Sequence, residues 1–300
     1  MKVLSPGKHS RRYRTKVKWA YIFLLPWLVL FAVFYLYPLL YGIICSFTNS
    51  SLNNMEWIGL ENYSKLLGDH AFWTSLKATV FYCLICIPLN VFLPLWVANT
   101  LHPHGEKMNV ITKLLIYLPG VTCAAALVIG WKFIFASNTG LLTQILASMG
   151  FEHVSVLDKA STAIPIVSLM VVLCNMGTNL IIYCAAIDGL PETYFEAAEM
   201  DGASRGDQFW KITFPLLNPT IVYVFITSTI GALQIFVFPQ LMTAGGPNYT
   251  TSTLLMLVYD KAFSNNQFGY ASTIGVVLFI ITAAIALIQF KVVSKDKIEY

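Results

Sequence analysis

The strongest constraint on this chain is a set of six long apolar runs, at residues 19–47, 76–101, 114–135, 163–187, 220–242 and 272–290, none holding an Asp or Glu. A run of about 20 apolar residues matches a helix that crosses the hydrocarbon core of a bilayer. In hydrocarbon the backbone must satisfy its own N–H and C=O groups, which selects helices or closed barrels, and runs this long select helices. The expected fold class is therefore all-α: a polytopic membrane protein with six transmembrane helices. With 57% hydrophobic and 11% charged residues, the chain lies far from a soluble globular domain. The first run exceeds what a bilayer needs, so that helix either tilts or projects at one end.

Orientation follows from the basic residues. Lys2, Lys8, Arg11, Arg12, Arg14, Lys16 and Lys18 precede the first run. With six spans, the segments sharing their side are residues 102–113, 188–219 and the tail, which add Lys107, Lys113, Arg205, Lys211, Lys291, Lys295 and Lys297. Fourteen of the 19 basic residues then lie on one side, leaving Lys65, Lys77, Lys132, Lys159 and Lys261 on or near the other. The positive-inside rule puts both termini and the 188–219 loop in the cytoplasm, an N-in/C-in topology. Three regions are expected: a basic cytoplasmic segment, 1–18, resting on anionic headgroups; a six-helix domain, 19–291; and a cytoplasmic tail, 292–300. The first run lacks a small-residue cleavage site and reads as an uncleaved span rather than a signal peptide.

Several features argue against chemistry within the chain. Cys45, Cys83, Cys86, Cys123, Cys174 and Cys184 all fall inside the runs. The Cys83-x-x-Cys86 pair has no second ligand pair, so the cysteines read as core packing and no metal site is expected. No GxxxxGK[ST] phosphate loop, GxSxG elbow or HExxH helix occurs, so neither catalysis nor ATP hydrolysis by that route is expected. Ion-coupled carriers usually need intramembrane carboxylates, and the runs have none. Uphill transport would have to draw its energy from a partner.

Residues 49–75 combine turn formers with Trp57, Tyr63, Phe72 and Trp73, as expected of a loop lying partly in the membrane interface. Residues 139–151 have helical spacing, and residues 243–247, Thr-Ala-Gly-Gly-Pro, read as a firm helix stop. Uncharged polar groups occur at depth: Asn175, Thr178 and Asn179 around Gly177 in the fourth run, and Thr227, Ser228, Thr229 and Gln234 around Gly231 in the fifth. They fit interhelical hydrogen bonding with close glycine packing, or a hydroxyl-rich path for a neutral solute.

Residues 188–219 carry six of the 15 acidic residues. The order is helix, glycine break, helix, proline stop: Pro191 suits a first helical position, Glu192 the first turn, Gly202 the break and Pro215 the end. An exposed polar helix pair on a membrane body is a handle for another protein. Three classes remain open from the residues: a driven transporter subunit, a passive channel or facilitator, and a receptor or scaffold.

Glu196-Ala197-Ala198, then Gly202, then Ile212-Thr213-Phe214-Pro215 resembles the EAA loop of the membrane subunits of binding-protein-dependent ABC importers, with Phe214 where that family usually has Leu. Asp201 and Ala203 beside Gly202 also resemble the family. Further motifs resemble its sugar-type branch, the maltose- and glycerol-phosphate-type permeases. They are Leu24-Leu25-Pro26, Tyr37-Pro38, Gly59-Leu60-Glu61-Asn62-Tyr63, Leu118-Pro119, residues 243–247 and Phe268-Gly269-Tyr270-Ala271. The resemblance covers residues 20–290 and implies an ABC type I importer permease fold in a bacterial plasma membrane. It implies a sugar substrate, a second permease subunit, two ATPase subunits holding ATP and magnesium, and an external solute-binding protein; nucleic acid plays no part. It also implies that Glu196 is the charge contact to the ATPase, that Ala197 and Ala198 allow close approach, and that Gly202, beside Asp201, makes the turn. Sugar contacts would fall near Asn175, Thr178, Thr227, Gly231 and Gln234, with Asn179 nearby. A neutral oligosaccharide is the expected solute, glycerol phosphate the alternative.

Overall fold

The computed structural model describes residues 7–50, 55–101, 106–136, 140–150 and 156–293. Lys2, Lys295, Lys297, Thr139 and Phe151 lie outside them, so much of the expected basic segment and tail does too.

The chain begins as one continuous helix: α1 (Gly7–Phe31), a π-turn (Ala32–Leu36) and α2 (Tyr37–Ser46). At about 1.5 Å per residue it is roughly 60 Å long, about twice the hydrocarbon thickness, so one end projects. The π-turn stands just ahead of Pro38. There the proline has no N–H and its ring would clash with the carbonyl four residues back, and the Tyr37 N–H bonds the Ala32 carbonyl in a wider turn.

A short antiparallel hairpin follows, β1 (Thr48–Ser50) and β2 (Met55–Trp57), with Asn49 opposite Glu56. It is a small departure from an all-helical chain. Helix α3 (Glu61–Gly68) leads into α4 (His70–Leu101).

The third span differs from expectation. In place of one straight helix over 114–135 there are two, α5 (Glu106–Val121) and α6 (Ala124–Ile134), bent by 95° between Val110–Val121 and Ala124–Ile134. Pro119 removes one ladder bond, Thr122 turns its hydroxyl onto the Leu118 carbonyl, and Cys123 leaves helical geometry at ψ 120°. Among the described residues five helices are long and apolar enough to cross a membrane, or six if this pair is one span. Helix α7 (Leu141–Ser148) is the short helix expected near residues 139–151.

Helix α8 (Ala160–Asp188) packs along α4, and α5 packs on α8. The α5–α8 crossing is tight because of two glycines: a Cβ at Gly177 would lie 2.5 Å from the Tyr117 Cα, and one at Gly120 2.7 Å from the Cys174 carbonyl. Lys113 reaches Asp188 at 4.0 Å at the end of this pair.

Next come α9 (Thr193–Met200), α10 (Arg205–Gln208), a second π-turn (Phe209–Thr213), α11 (Phe214–Leu216) and α12 (Asn218–Leu233). Pro215 was expected to end the second stretch but does not. It sits at the start of a turn, where a missing N–H costs little, and the Phe214 N–H bonds the Phe209 carbonyl across the wider π-turn. Helix therefore continues almost unbroken into α12, which lies against α4.

The fifth span is also divided, into α12 and α13 (Val237–Met242). Pro239 frees the Ile235 carbonyl, and the buried Thr253 hydroxyl donates to it at 2.7 Å. Residues 243–247 stop this helix as expected, with Ala244 and Gly245 at positive φ. Helix α14 (Leu254–Tyr259), a third π-turn (Asp260–Ser264) and α15 (Phe268–Val293) complete the described residues.

The apolar interior follows these contacts. One cluster joins Tyr82, Val128, Val167 and Val172; a second joins Val91, Leu95, Leu180, Tyr183 and Leu217. A third, of Leu66, Phe72, Leu254, Leu257 and Ile274, caps the hairpin end. The six cysteines are free thiols: Cys45, Cys86 and Cys184 are buried as core packing requires, Cys83 and Cys174 are half-buried, and Cys123, at the bend between α5 and α6, is exposed instead.

Candidate functional site

Residues 188–219 form the end of the molecule opposite the hairpin. The Tyr194 N–H bonds the Pro191 carbonyl and the Glu196 N–H the Glu192 carbonyl, so Pro191 and Glu192 stand just before α9 rather than within it. At its other end α9 stops on Gly202. Ala203 N–H donates to the Ala198 carbonyl (2.9 Å) and Gly202 N–H to the Glu199 carbonyl (3.0 Å), while Gly202 holds φ +74°. This is a Schellman cap, whose left-handed residue favours glycine. Asp201, next to it, donates its N–H to the Ala197 carbonyl. Glu196, Ala197, Ala198, Asp201 and Gly202 thus share one helix and its cap.

Beyond the turn, Ser204 and Asp207 form a capping box around α10: Asp207 N–H donates to Ser204 Oγ at 3.2 Å, and Ser204 N–H to the Asp207 carboxylate at 3.3 Å. Lys211 Nζ donates to the same carboxylate at 2.6 Å. This bond and the one from the Ser204 hydroxyl hold the Asp207 carboxyl at about 2, well below the usual carboxylate range.

Lack of burial sets this end apart, and its charge is only partly paired. Neither α9 nor α10 buries any residue in the chain, although an isolated helix of this length is not stable in water. Among the described residues the only ion pairs are Lys113–Asp188 and Lys211–Asp207, so Glu192, Glu196, Glu199 and Asp201 have no basic partner. Glu192, Phe195, Glu196 and Glu199, at helical spacing, line an open cleft of about 840 Å3 whose other wall includes Trp96 and Asn99 of α4. Among the described residues Arg205 is the one cation on its lining. Around the loop, Tyr194, Met200 and Trp210 are 51%, 89% and 65% exposed. Sequence reasoning passed over these three as anchors; their mark is large apolar residues inside an otherwise polar loop.

The polar residues at depth separate into two kinds. Asn175 and Thr178 are exposed along one face of α8, and Thr227, Gly231 and Gln234 along one face of α12. A Cβ at Gly231 would meet nothing within 4 Å, so unlike Gly177 this glycine serves no close packing within the chain. Neither α8 nor α12 carries a basic residue. Asn179 and Thr229 are tied instead to other helices: Asn179 Nδ2 donates to the Asn90 carbonyl of α4 at 3.0 Å, and Gln289 of α15 donates to the Thr229 hydroxyl at 2.8 Å. For Asn179 and Gly177 the hydrogen-bonding and close-packing alternative holds. No hydrogen bond joins the α8 stripe to the α12 stripe among the described residues.

The motifs at the hairpin end have structural work. Asn62 is buried and donates to the Ser46 and Thr48 carbonyls at 3.1 and 2.9 Å, closing the end of α2. Gly269 lies against β1, where an added Cβ would collide with the Thr48 carbonyl oxygen. Tyr270 donates its hydroxyl to Asp69 at 2.6 Å, and Asp69 also accepts the Ala71 N–H at the start of α4.

Residues 67–297 match the family described as binding-protein-dependent transport system inner membrane component. The chain is 32% identical to the probable ABC transporter permease protein YesP of Bacillus subtilis over 292 residues, 96% of this chain and 94% of that protein. It is 31% identical to the multiple sugar-binding transport system permease protein MsmF of Streptococcus mutans, over 93% and 97% of the two chains. Its fold is that of a chain in a crystal structure of a bacterial alginate ABC transporter in complex with an alginate pentasaccharide-bound periplasmic protein. There the TM-score is 0.82 at 20% identity, covering 92% of this chain and 94% of that one.

Proposed function

The chain belongs to the binding-protein-dependent transport system inner membrane component family, and from that premise we propose that it is one permease subunit of an ATP-driven sugar importer. It is a multi-pass membrane protein and a transport subunit, not an enzyme. We assign it to a bacterial plasma membrane with both termini and residues 188–219 in the cytoplasm, by the balance of basic residues. A second permease subunit, two ATPase subunits that hold ATP and magnesium, and an external solute-binding protein complete the assembly.

The observation that carries this reading is that α9 fully buries no residue and that its carboxylates have no basic partner among the described residues. Such a helix is finished by docking. Glu196 presents a charge beside a cleft that admits a basic side chain, the small Ala197 and Ala198 allow approach, and the Gly202 cap fixes the helix end. Closure of the ATPase pair around ATP pulls on α9, and the motion passes along α8 and through the nearly unbroken helix into α12. The bundle then opens outward to take solute, and hydrolysis resets it. A passive channel would leave α9 without a role.

For the solute we propose a neutral oligosaccharide. The support is the pair of uncharged, exposed stripes, Asn175 and Thr178 on α8 and Thr227, Gly231 and Gln234 on α12. Glycerol phosphate would call for basic residues on these helices, and they carry none. Glu196→Lys reverses the charge at the docking point. It is expected to lower ATP-driven sugar uptake in membrane vesicles at least about tenfold, equivalent to about 1.4 kcal/mol of coupling, and to weaken co-purification of the ATPase. Unchanged uptake with unchanged co-purification would rule the assignment out.

A further inference from the structure

Helices α4 and α8 share a buried polar set that neither the docking loop nor the solute stripes use. Pro94 carries no N–H, so the Asn90 carbonyl four residues earlier loses its partner in the α4 ladder. Asn179 of α8 supplies the missing donor at 3.0 Å. This explains why an amide stands at that depth, and removes Asn179 from the solute path. One turn further along the same face of α8 is Tyr183, fully buried in a cluster with Val91 and Leu95, and its hydroxyl has no partner among the described residues. The side-chain Oδ1 of Asn90, a residue only 4% exposed, has none either. Buried polar atoms without partners are costly, and a helix pair that keeps them is suited to a second arrangement in which they are used. From this joint α8 runs unbroken to Asp188, and Ile187 lines the cleft beside α9.

We propose that Asn90, Asn179 and Tyr183 form a two-position latch between α4 and α8. In the state described, Asn179 is closed on the Asn90 carbonyl. In the other state of the transport cycle the Asn179 amide passes to Asn90 Oδ1, and the Tyr183 hydroxyl takes its place as donor to the Asn90 carbonyl. Asn179 and Tyr183 are then positioning residues for the helix that carries Asn175 and Thr178. The second state rests on the transport reading above, since the ATP cycle of the partner selects it by binding one arrangement more tightly than the other.

The test pairs Asn179→Ala with Pro94→Ala, which restores a backbone N–H to the Asn90 carbonyl. Thermal midpoints are read on the purified chain, and sugar uptake per ATP hydrolysed on the reconstituted transporter. Asn179→Ala is expected to lower the midpoint and to cut uptake per ATP at least fivefold. Adding Pro94→Ala is expected to recover the midpoint but not the uptake. Recovery of both would make Asn179 a structural residue and overturn the latch; recovery of neither would overturn the assignment of its bond to the proline-freed carbonyl. Tyr183→Phe is the second arm: the midpoint holds or rises while uptake per ATP falls, and an unchanged uptake or a lowered midpoint contradicts the proposal. If the unmodified assembly shows no ATP-driven uptake, the transport reading fails and takes the second state with it, whereas the midpoint comparison still reports on the Asn179 bond.

Discussion

The two ends of this molecule handle their polar groups in opposite ways. At the hairpin end, Asn62, Asp69, Tyr270, Thr251 and Thr273 all find hydrogen-bond partners within the chain, and Leu66, Leu254 and Ile274 form an apolar cluster beneath them. At the loop end, α9 fully buries no residue, and although the two ion pairs found among the described residues lie here, Glu192, Glu196, Glu199 and Asp201 stand outside them. The first end satisfies most of its polar groups within the chain, Ser75 Oγ being an exception, and the second has the form of half an interface. Stability is therefore expected to concentrate at the hairpin end, and coupling to a partner at the loop end.

One glycine at each end sharpens that contrast. Gly269→Leu drives a side chain into the Thr48 carbonyl, a backbone atom with little room to yield. It is expected to destabilise the purified chain by about 3 kcal/mol or more, and a wild-type thermal midpoint would break the comparison. Gly202 has φ +74° and open space around its Cα, so Gly202→Val costs only backbone strain, about 1–2 kcal/mol, confined to the end of α9. The purified chain should keep its midpoint and lose co-purification of the ATPase. A fall in the midpoint equal to that of Gly269→Leu would show that the loop end is as integrated as the hairpin end.

The smallest expected effect is on pH. The Asp207 carboxyl is depressed from 3.8 to about 2 by Lys211 and Ser204. A depressed carboxyl stabilises the folded turn above the ordinary carboxylate value and loses that contribution as pH falls through its own lower one. The capping box should hold at pH 4 and loosen toward pH 2, read from the exchange of the Asp207 amide proton. Loosening already complete at pH 4 would mean that Lys211 does not hold it.

Much of this was legible before any coordinates. The apolar runs located the spans, because length and absence of charge are properties of segments. The loop pattern located α9 and its Gly202 stop, because a Schellman cap has a local signature. What was not legible depends on partners distant in sequence. Pro119 and Pro38 are both prolines in apolar runs, yet the first lies next to a 95° bend and the second is absorbed by a π-turn. Pro215 likewise reads as a stop and acts as a start. Asn179 and Asn175 are the same residue type four apart on one helix, and only the position of Pro94 on another helix separates a structural amide from an exposed one. Gly177 and Gly231 divide in the same way, by what lies opposite them.

On the function proposed above, α9 is completed by a partner rather than by its own chain. Hydrogen exchange across Thr193–Met200 tests it most directly, compared between the purified permease and its complex with the ATPase. Exchange is expected to be fast in the chain alone and strongly slowed in the complex, with the hairpin end protected in both. Equal protection of Thr193–Met200 in the two samples would contradict it.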